Sequence, residues 1–479
     1  MAKTFLSKFN LKSKKIFILL PDGLGLRNFA FTQFVEIGEK LGWNVVFWNH
    51  TPFDLSSLGL KEIKLNGKPR PFTDLLKRAK INAELNYFEE RFKDPVYSTY
   101  KFQASAKGIK SKIKNSIISF LIGKNKGEKG LRKLREKLQK SERNSSFYKD
   151  CKKVLQKENP DLIFCTSQRP VNAISPLTAA QDLNIPTATF IFSWDNLSKA
   201  TMVVETDHYF VWSNFMKEEL QSYYPYISSK LIQVSGTPQF EAHYNKSLLE
   251  TREVFFREQG LDLQRNYICF SGDDVTTSPD DPQYLEDVAA AVTQLNSKGS
   301  RLGIIFRRCP VDFSGRYNSV LEKYKEIIAE IAPLWEKQGD QWNTILPLKE
   351  DLALQVNTIH HSLGVINLGS TMIFDAVAHS KPCFYINYDV LDKKGLKWSV
   401  QKIYNYVHFR SMPEDSPVLW LNSKDEISEK IEQILNGTHQ TTAAAKEWFK
   451  TINQDPPEDA SKRIWFGIDE ILKAKLNTI

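Results

Sequence analysis

Short apolar runs that end in small or polar turn residues alternate along this chain with segments of helical periodicity. A chain written this way has few options besides open parallel sheets flanked by helices. The first unit begins at Lys15, where KKIFILLPDG reads as a buried strand closed by a Pro-Asp-Gly turn. Asn28 to Leu41 follows at helix length, with Phe31, Phe34, Val35 and Leu41 at helical spacing. Gly42 ends that helix, and Asn44 to Trp48 is the next strand. The result is a β-α-β unit, the building block of a parallel sheet.

Residues 51 to 150 break the rhythm. Phe72 to Phe92 and Lys129 to Lys140 read as helix, no segment reads convincingly as strand, and a helical insertion is predicted. The alternation resumes at Asp161 with the strand DLIFCTS, the helix Ala173 to Asp182 and the strand PTATFIFS. HYFVWS, the helix Asn214 to Tyr223 and KLIQVSG complete this series. A second series starts at Asn266: the strand NYICFSG, the helix Gln283 to Leu295, then the strands RLGIIFRRCP, NTILPL, GVINLGS and CFYINYD, with Ile373 to Ala378 helical between the last two. The turn between the series lies near Gly236 to Asn245. The tail from Lys446 to Leu472 reads as helix interrupted by Pro456 and Pro457. Two Rossmann-like halves with a cleft between them are therefore expected. Their ligands should sit just beyond the carboxyl ends of the strands.

The chain has 479 residues, a quarter of them charged, which is ordinary globular composition with room for two α/β domains. Cys151, Cys165, Cys269, Cys309 and Cys383 are scattered and odd in number, a pattern of reduced thiols in a cytosolic protein. The basic start Met1 to Lys15 is followed by Ile16 to Leu20, too short for a secretory signal and closed by Pro21. Ile117 to Ile122 is far short of the ~20 residues that a membrane span needs. A cytoplasmic protein, at most resting on the inner face of the cell membrane, is the expectation. The net charge of +9 is concentrated: residues 101 to 150 hold 15 Lys/Arg against four Asp/Glu. A basic stretch beside the apolar run Ile117 to Ile122 suits the surface of an anionic bilayer. Few aromatics interleave with these lysines, so nucleic acid is not an expected partner.

Five stretches can carry chemistry. Between the first strand and helix, Pro21 to Asn28 forms a Gly-containing turn, with Asp22 and Gly25 in it and Arg27 beyond. Backbone N–H groups there can approach a ligand. Phe192 to Lys199 follows an apolar strand, so Asp195 and Asn196 should project into the cleft. A carboxylate at that place can take a proton from an acceptor hydroxyl, and Trp194 offers an apolar face to a sugar ring. Val234 to His243, turned by Gly236 and Pro238, is a hinge candidate. Ser271 and Gly272 after one strand, with Arg307 and Arg308 after a neighbour, suit a diphosphate through small donors and fixed positive charge. Most specific is Asn367 to Pro382, where Gly369, Ser370 and Thr371 open a helix whose amino end carries unpaired N–H groups and positive dipole. One turn on, Asp375 can reach ribose or sugar hydroxyls. No Asp-x-Asp, Gly-x-Ser-x-Gly or His-Glu-x-x-His occurs, Asp273-Asp274 is the nearest approach to a metal pair, and no metal is expected.

These residues resemble the GT-B glycosyltransferases. Gly369-Ser-Thr, Asp375-Ala and Lys381-Pro382 look like the donor-site helix of that superfamily, and Val234 to Pro238 is similar to its hinge segment. Ser193 to Leu197 (SWDNL) resembles a stretch of bacterial surface-polysaccharide glycosyltransferases. Two departures stand out: Asp375 where many members have Glu, and Arg307-Arg-Cys-Pro310 where capsule enzymes have a loop with His. The resemblance implies two Rossmann-like domains: an acceptor domain over residues 1–238 carrying the basic insertion, a donor domain over 239–445, and terminal helices over 446–479 crossing back to the first. It implies transfer of a sugar from a nucleotide-sugar donor to a cell-surface glycan or lipid-linked acceptor, with no cofactor besides the donor itself. Asp195, or else Asp22, would be the base. Ser271, Gly272, Arg307, Arg308, Gly369, Ser370, Thr371 and Asp375 would hold the donor, and Gly25, Arg27, Trp194 and Asn196 the acceptor. Three further readings fit the same architecture: transfer of polyol phosphate from a CDP-linked donor as in teichoic-acid synthesis, nucleotide-sugar epimerisation, and a non-catalytic scaffold.

Overall fold

The computed structural model describes residues 14–101, 108–338, 345–390 and 398–476. Its first sheet holds β1 (Lys14–Leu20), β2 (Trp43–Asn49), β3 (Glu62–Lys64), β4 (Leu162–Cys165), β5 (Thr187–Phe190), β6 (His208–Val211) and β7 (Ile232–Val234). All seven run parallel in the order β3-β2-β1-β4-β5-β6-β7. The later strands are β8 (Asn266–Ser271), β9 (Leu302–Arg307), β10 (Ile328–Glu330), β11 (Trp335–Lys337), β12 (Ile345–Pro347), β13 (Ser362–Asn367), β14 (Cys383–Ile386) and β15 (Leu419–Leu421). Six of them form a second parallel sheet, ordered β10-β9-β8-β13-β14-β15. In both sheets the order reverses beside the first strand, between β1 and β4 and between β8 and β13. Those are the places where an open α/β sheet leaves a crevice for a ligand.

The central strands are apolar on both faces because helices cover both faces: Ile16 to Leu20 of β1 are completely buried. The expected NTILPL strand differs in kind. Ile345–Pro347 pairs antiparallel with β11 and stays outside the parallel sheet. The stretch from 51 to 150, expected to lack strands, contributes β3 at the edge of the first sheet. The rest of that region is helical: Pro71–Phe92, Val96–Thr99, Ile109–Lys124 and Gly127–Arg143, with Ser146–Glu158 leading back to the sheet. The helix expected over 28–41 is split into a wide turn at Leu26–Ala30 and a helix at Phe34–Lys40.

The chain ends in two helices, Thr441–Ile452 and Ala460–Leu476. The second lies on the first lobe. Trp465 stacks on Phe34 with ring centres 4.9 Å apart, donates its indole N–H to the Phe34 carbonyl, and is completely buried. The segment between the lobes is held from the same side: Asn453 Oδ1 accepts the Thr237 N–H at 2.9 Å, and Arg463 Nε donates to the Ser235 carbonyl at 2.7 Å. One continuous apolar core runs through both lobes.

Candidate functional site

The turn after β1 is shaped by close approach. A Cβ on Gly25 would lie 2.4 Å from Thr166 Oγ1 and 2.6 Å from Leu20 Cδ2, so only glycine lets this turn settle against the end of β4. The packing turns Asp22 inward. It is 5% exposed; Oδ1 accepts the Leu24 N–H at 3.1 Å, and Oδ2 is buried with no partner. Burial pushes this carboxyl up to about 6 against the pull of the Leu24 N–H, Arg169 and Lys77. Lys77 belongs to the inserted helix Pro71–Phe92, and burial pushes its ammonium down to about 8. Nearby, Asn172 Nδ2 lies 3.4 Å from the Pro21 carbonyl and 3.2 Å from His50 Nδ1.

Arg27 crosses to the other lobe, where its Nη2 donates to Gln355 Oε1. Its guanidinium is buried, burial lowers its pKa, and Asp351 and Asp375 pull the other way. Arg307, at the end of β9, gives Nη2 to both carboxylate oxygens of Asp351 at 2.7 and 2.9 Å. Asp351 is also fixed by the Leu334 N–H and the Trp335 indole. Arg27 Nε and Arg307 Nη1 are both buried without a partner. The two guanidiniums lie close enough for Arg307 to depress Arg27. Two neighbouring cations from opposite lobes, each with an unused buried N–H, make a place suited to an anion.

Ser271 ends β8 opposite Arg307, and the Gly272 N–H donates to the Arg307 carbonyl at 2.9 Å. Arg308 turns away: its Nε donates to Glu330 Oε1 at 2.7 Å and its Nη1 reaches the Asp312 and Ser314 carbonyls. Asp273 and Asp281 sit behind this loop. Asp281 Oδ2 accepts the Asp273 N–H and the Tyr317 hydroxyl at 2.7 and 2.8 Å, and burial with mutual repulsion raises Asp273 well above the usual carboxylate range.

After β13, Gly369 has φ +64°, and a Cβ there would meet Phe409, Ile403 and Tyr404 at 3.0 to 3.3 Å. Asn367 Oδ1 accepts the Ser370 N–H at 2.8 Å. The helix Met372–Ala378 then begins at the junction itself, since Thr371 Oγ1 accepts the indole N–H of Trp194 from the other lobe at 3.2 Å. Asp375, expected to reach ligand hydroxyls, is only 2% exposed. Its Oδ1 is 2.7 Å from His243 Nε2 and 3.4 Å from Gln355 Nε2, so it ties the interlobe segment to this helix.

The SWDNL stretch also departs from its expected part. Trp194 is 6% exposed and packs edge-on to Phe374, His408, Phe409 and Trp448, a lock between the lobes in place of an open sugar platform. Burial pushes the Asp195 carboxyl up, but Lys199, with His408, outweighs it and holds Asp195 well below the usual range. A carboxylate held that low is a weak proton acceptor. Asn196 bridges Asp195 Oδ1 at 2.9 Å and Gln168 Nε2 at 3.0 Å.

Arg27 with Gln355 and Trp194 with Thr371 thus meet across the junction and Arg307 lies beside Arg27, while the charged neighbours of Asp22, Arg169 and Lys77, belong to the first lobe and Arg308 turns away. Pro238 opens a short 3-10 turn beside the clamped Gly236. Sequence reasoning missed His243, Asp351 and Gln355. His243 closes the hinge candidate, where the sequence assigns it no partner, and Asp351 and Gln355 share one face of the helix Asp351–His360, a spacing readable only once a partner is known. Beside this junction a cleft of about 700 Å³ opens between the lobes, lined by Asp94, Val96 and Thr99 of the insertion and by Trp398, Tyr404 and Arg410 opposite. No group of three or more His, Cys, Asp or Glu among the described residues is arranged to hold a metal ion.

No family model matches the chain, and no curated protein matches it in sequence. Solved structures do match it in three dimensions. MnaA of S. aureus in its UDP co-structure is 14% identical, with a TM-score of 0.52 over 97% of this chain and 98% of that one. A UDP-N-acetylglucosamine 2-epimerase is 11% identical, with a TM-score of 0.53 over 96% and 95%. A glycosyltransferase from Rickettsia africae is 12% identical, with a TM-score of 0.50 over 96% and 99%. Identities this low speak to architecture: across nearly its whole length the chain has the two-lobed, doubly Rossmann-like GT-B fold.

Proposed function

We propose that the chain is a metal-independent glycosyltransferase that moves a sugar from a nucleotide donor to a hydroxyl of a cell-surface glycan or lipid-linked acceptor, at the inner face of a membrane. The observation that carries the reading is the paired, partly unsatisfied guanidiniums of Arg27 and Arg307, facing each other across the lobes. In this reading the donor diphosphate takes the unused N–H groups of both arginines, with Ser271, Gly272 and the turn Gly369 to Thr371 around it. Asp22, pushed up by burial, accepts the acceptor proton as the acceptor oxygen bonds to the anomeric carbon. The bond from that carbon to the diphosphate breaks, and the arginines stabilise the charge that develops on the leaving group. The cleft lined by the insertion admits the acceptor.

Epimerisation of a nucleotide sugar is a second reading of the same site. Its support is the likeness in fold to a UDP-N-acetylglucosamine 2-epimerase and a buried base at Asp22, which proton abstraction from a sugar carbon also needs.

One experiment separates the readings. The purified chain is screened for thermal stabilisation by UDP-, GDP- and CDP-linked sugars, then incubated in EDTA with each stabilising donor alone and with acceptor extracts. Transfer to acceptor with release of nucleoside diphosphate is expected. Conversion of donor to its C2 epimer without acceptor would establish the second reading, and CMP release from a CDP-polyol would identify a phosphotransferase. Absence of stabilisation by every nucleotide would overturn all three and leave a scaffold.

A further inference from the structure

The inserted helix Ile109–Lys124 presents two apolar faces. Ile118 and Leu121 point into the first lobe and are buried, so much of the run Ile117 to Ile122 belongs to the core. Other residues face outward: Ile109 is 78% exposed, Ile113 56% and Phe120 65%. At about 100° per residue, Ile109, Ile113, Ser116 and Phe120 fall within about 60° of one another, opposite Ile118. Lys112 flanks this ridge on one side and Lys110 and Lys124 on the other, all three exposed. Lys124 also lies over the Phe120 ring, 5.8 Å from its centre. The helix carries no acidic residue. Exposed large apolar side chains in line are unusual on a water-facing helix.

We propose that this ridge seats the protein on an anionic lipid bilayer, with Ile109, Ile113 and Phe120 entering the headgroup boundary and the flanking lysines pairing with lipid phosphates. The charge decides the occupant. A second copy would bring the same uncompensated lysines against these, whereas an anionic bilayer complements them. The same insertion supplies Lys77 beside Asp22 and one wall of the interlobe cleft.

The test is co-sedimentation of the full chain with vesicles of phosphatidylcholine alone and of phosphatidylcholine with one-third phosphatidylglycerol. Binding to the anionic vesicles only, weakening with added salt, is expected. Ile113→Ser with Phe120→Ser should lower partitioning by about tenfold or more, and Lys110→Gln or Lys112→Gln by about fivefold each. Ile118→Ala should lower thermal stability without changing partitioning of the folded protein. Equal binding to both vesicles, no binding, or full binding by the Ile113/Phe120 variant would overturn the proposal. So would a dimer in solution that the same variant dissociates. Donor turnover without vesicles, measured on the same preparations, reports on the proposed enzyme reaction separately, so either idea can fail while the other stands.

Discussion

At the residue scale, the two carboxyls that follow β1 and β5 have opposite characters although both sit at strand ends. Asp22 has a buried, unpartnered oxygen and a carboxyl pushed up to about 6. Asp195 has an ammonium against it and is held low. A base must be ionised to accept a proton, so kcat/KM is predicted to rise through pH 6 and then level off. Asp22→Asn should remove that limb and lower kcat about 10²- to 10⁴-fold. The same burial makes an opposite prediction for stability. A carboxyl whose folded value is raised favours folding fully below its unfolded value near 4, and that contribution disappears as pH rises through 6. Asp22→Asn should therefore be the more stable protein at pH 8, by up to roughly 3 kcal/mol, with the gap closing toward pH 4. Urea unfolding at both values checks it. Asp195→Asn should instead lose about 1 kcal/mol with the ion pair and keep the pH limb. Sequence marks both carboxyls as strand-end residues. It does not say which of them a lysine four residues on will neutralise, because that depends on how the loop Ser193–Ala200 coils.

At the element scale, long apolar runs are legible and three-residue edge strands mostly are not, β7 within KLIQVSG being the exception. β1, β2, β8 and β9 have enough consecutive apolar residues to announce themselves. β3, β10 and β15 have three residues each and lie at sheet edges, where half the pairing surface is absent and composition relaxes. Ile345–Pro347 was apolar enough to read as a sheet strand, yet its partner is the adjacent Trp335–Lys337. The tail is legible as helix but silent on its destination. Its docking depends on Trp465 filling a slot between Phe34, Trp43 and Gly38, where a Cβ on the glycine would lie 2.1 Å from the indole. Trp465→Ala should cost about 3 to 5 kcal/mol. It should also make the terminal helix exchange its amide hydrogens ahead of the central strands, because Trp465 is its largest anchor to the first lobe. Exchange at the same rate in variant and parent would mean that the Lys14–Asp469 ion pair, Arg463 and the apolar neighbours suffice to hold it.

For the whole molecule, the question is what sets the angle between the lobes. The segment linking them is pinned at Ser235 and Thr237 by the terminal helices, and His243 then ties it to Asp375 in the second lobe. Among the side chains that reach across the junction, Trp194 combines a hydrogen bond to Thr371 with an aromatic nest of the opposite lobe. These two parts of its grip can be separated. Trp194→Phe removes the N–H and leaves most of the packing, so about 1 kcal/mol is lost and the closed arrangement should persist. Trp194→Ala removes several kcal/mol of buried aromatic contact between the lobes, and the open arrangement should gain population in proportion. Small-angle scattering is then expected to give an unchanged radius of gyration for the phenylalanine variant and a larger one for the alanine variant. A nucleotide that binds across Arg27 and Arg307 should bring the alanine variant back toward the parent value, since such a ligand favours closure by its contacts with both lobes. An alanine variant as compact as the parent without ligand would place the closing force in the linker and terminal helices, and Trp194 would then be a passenger at the junction.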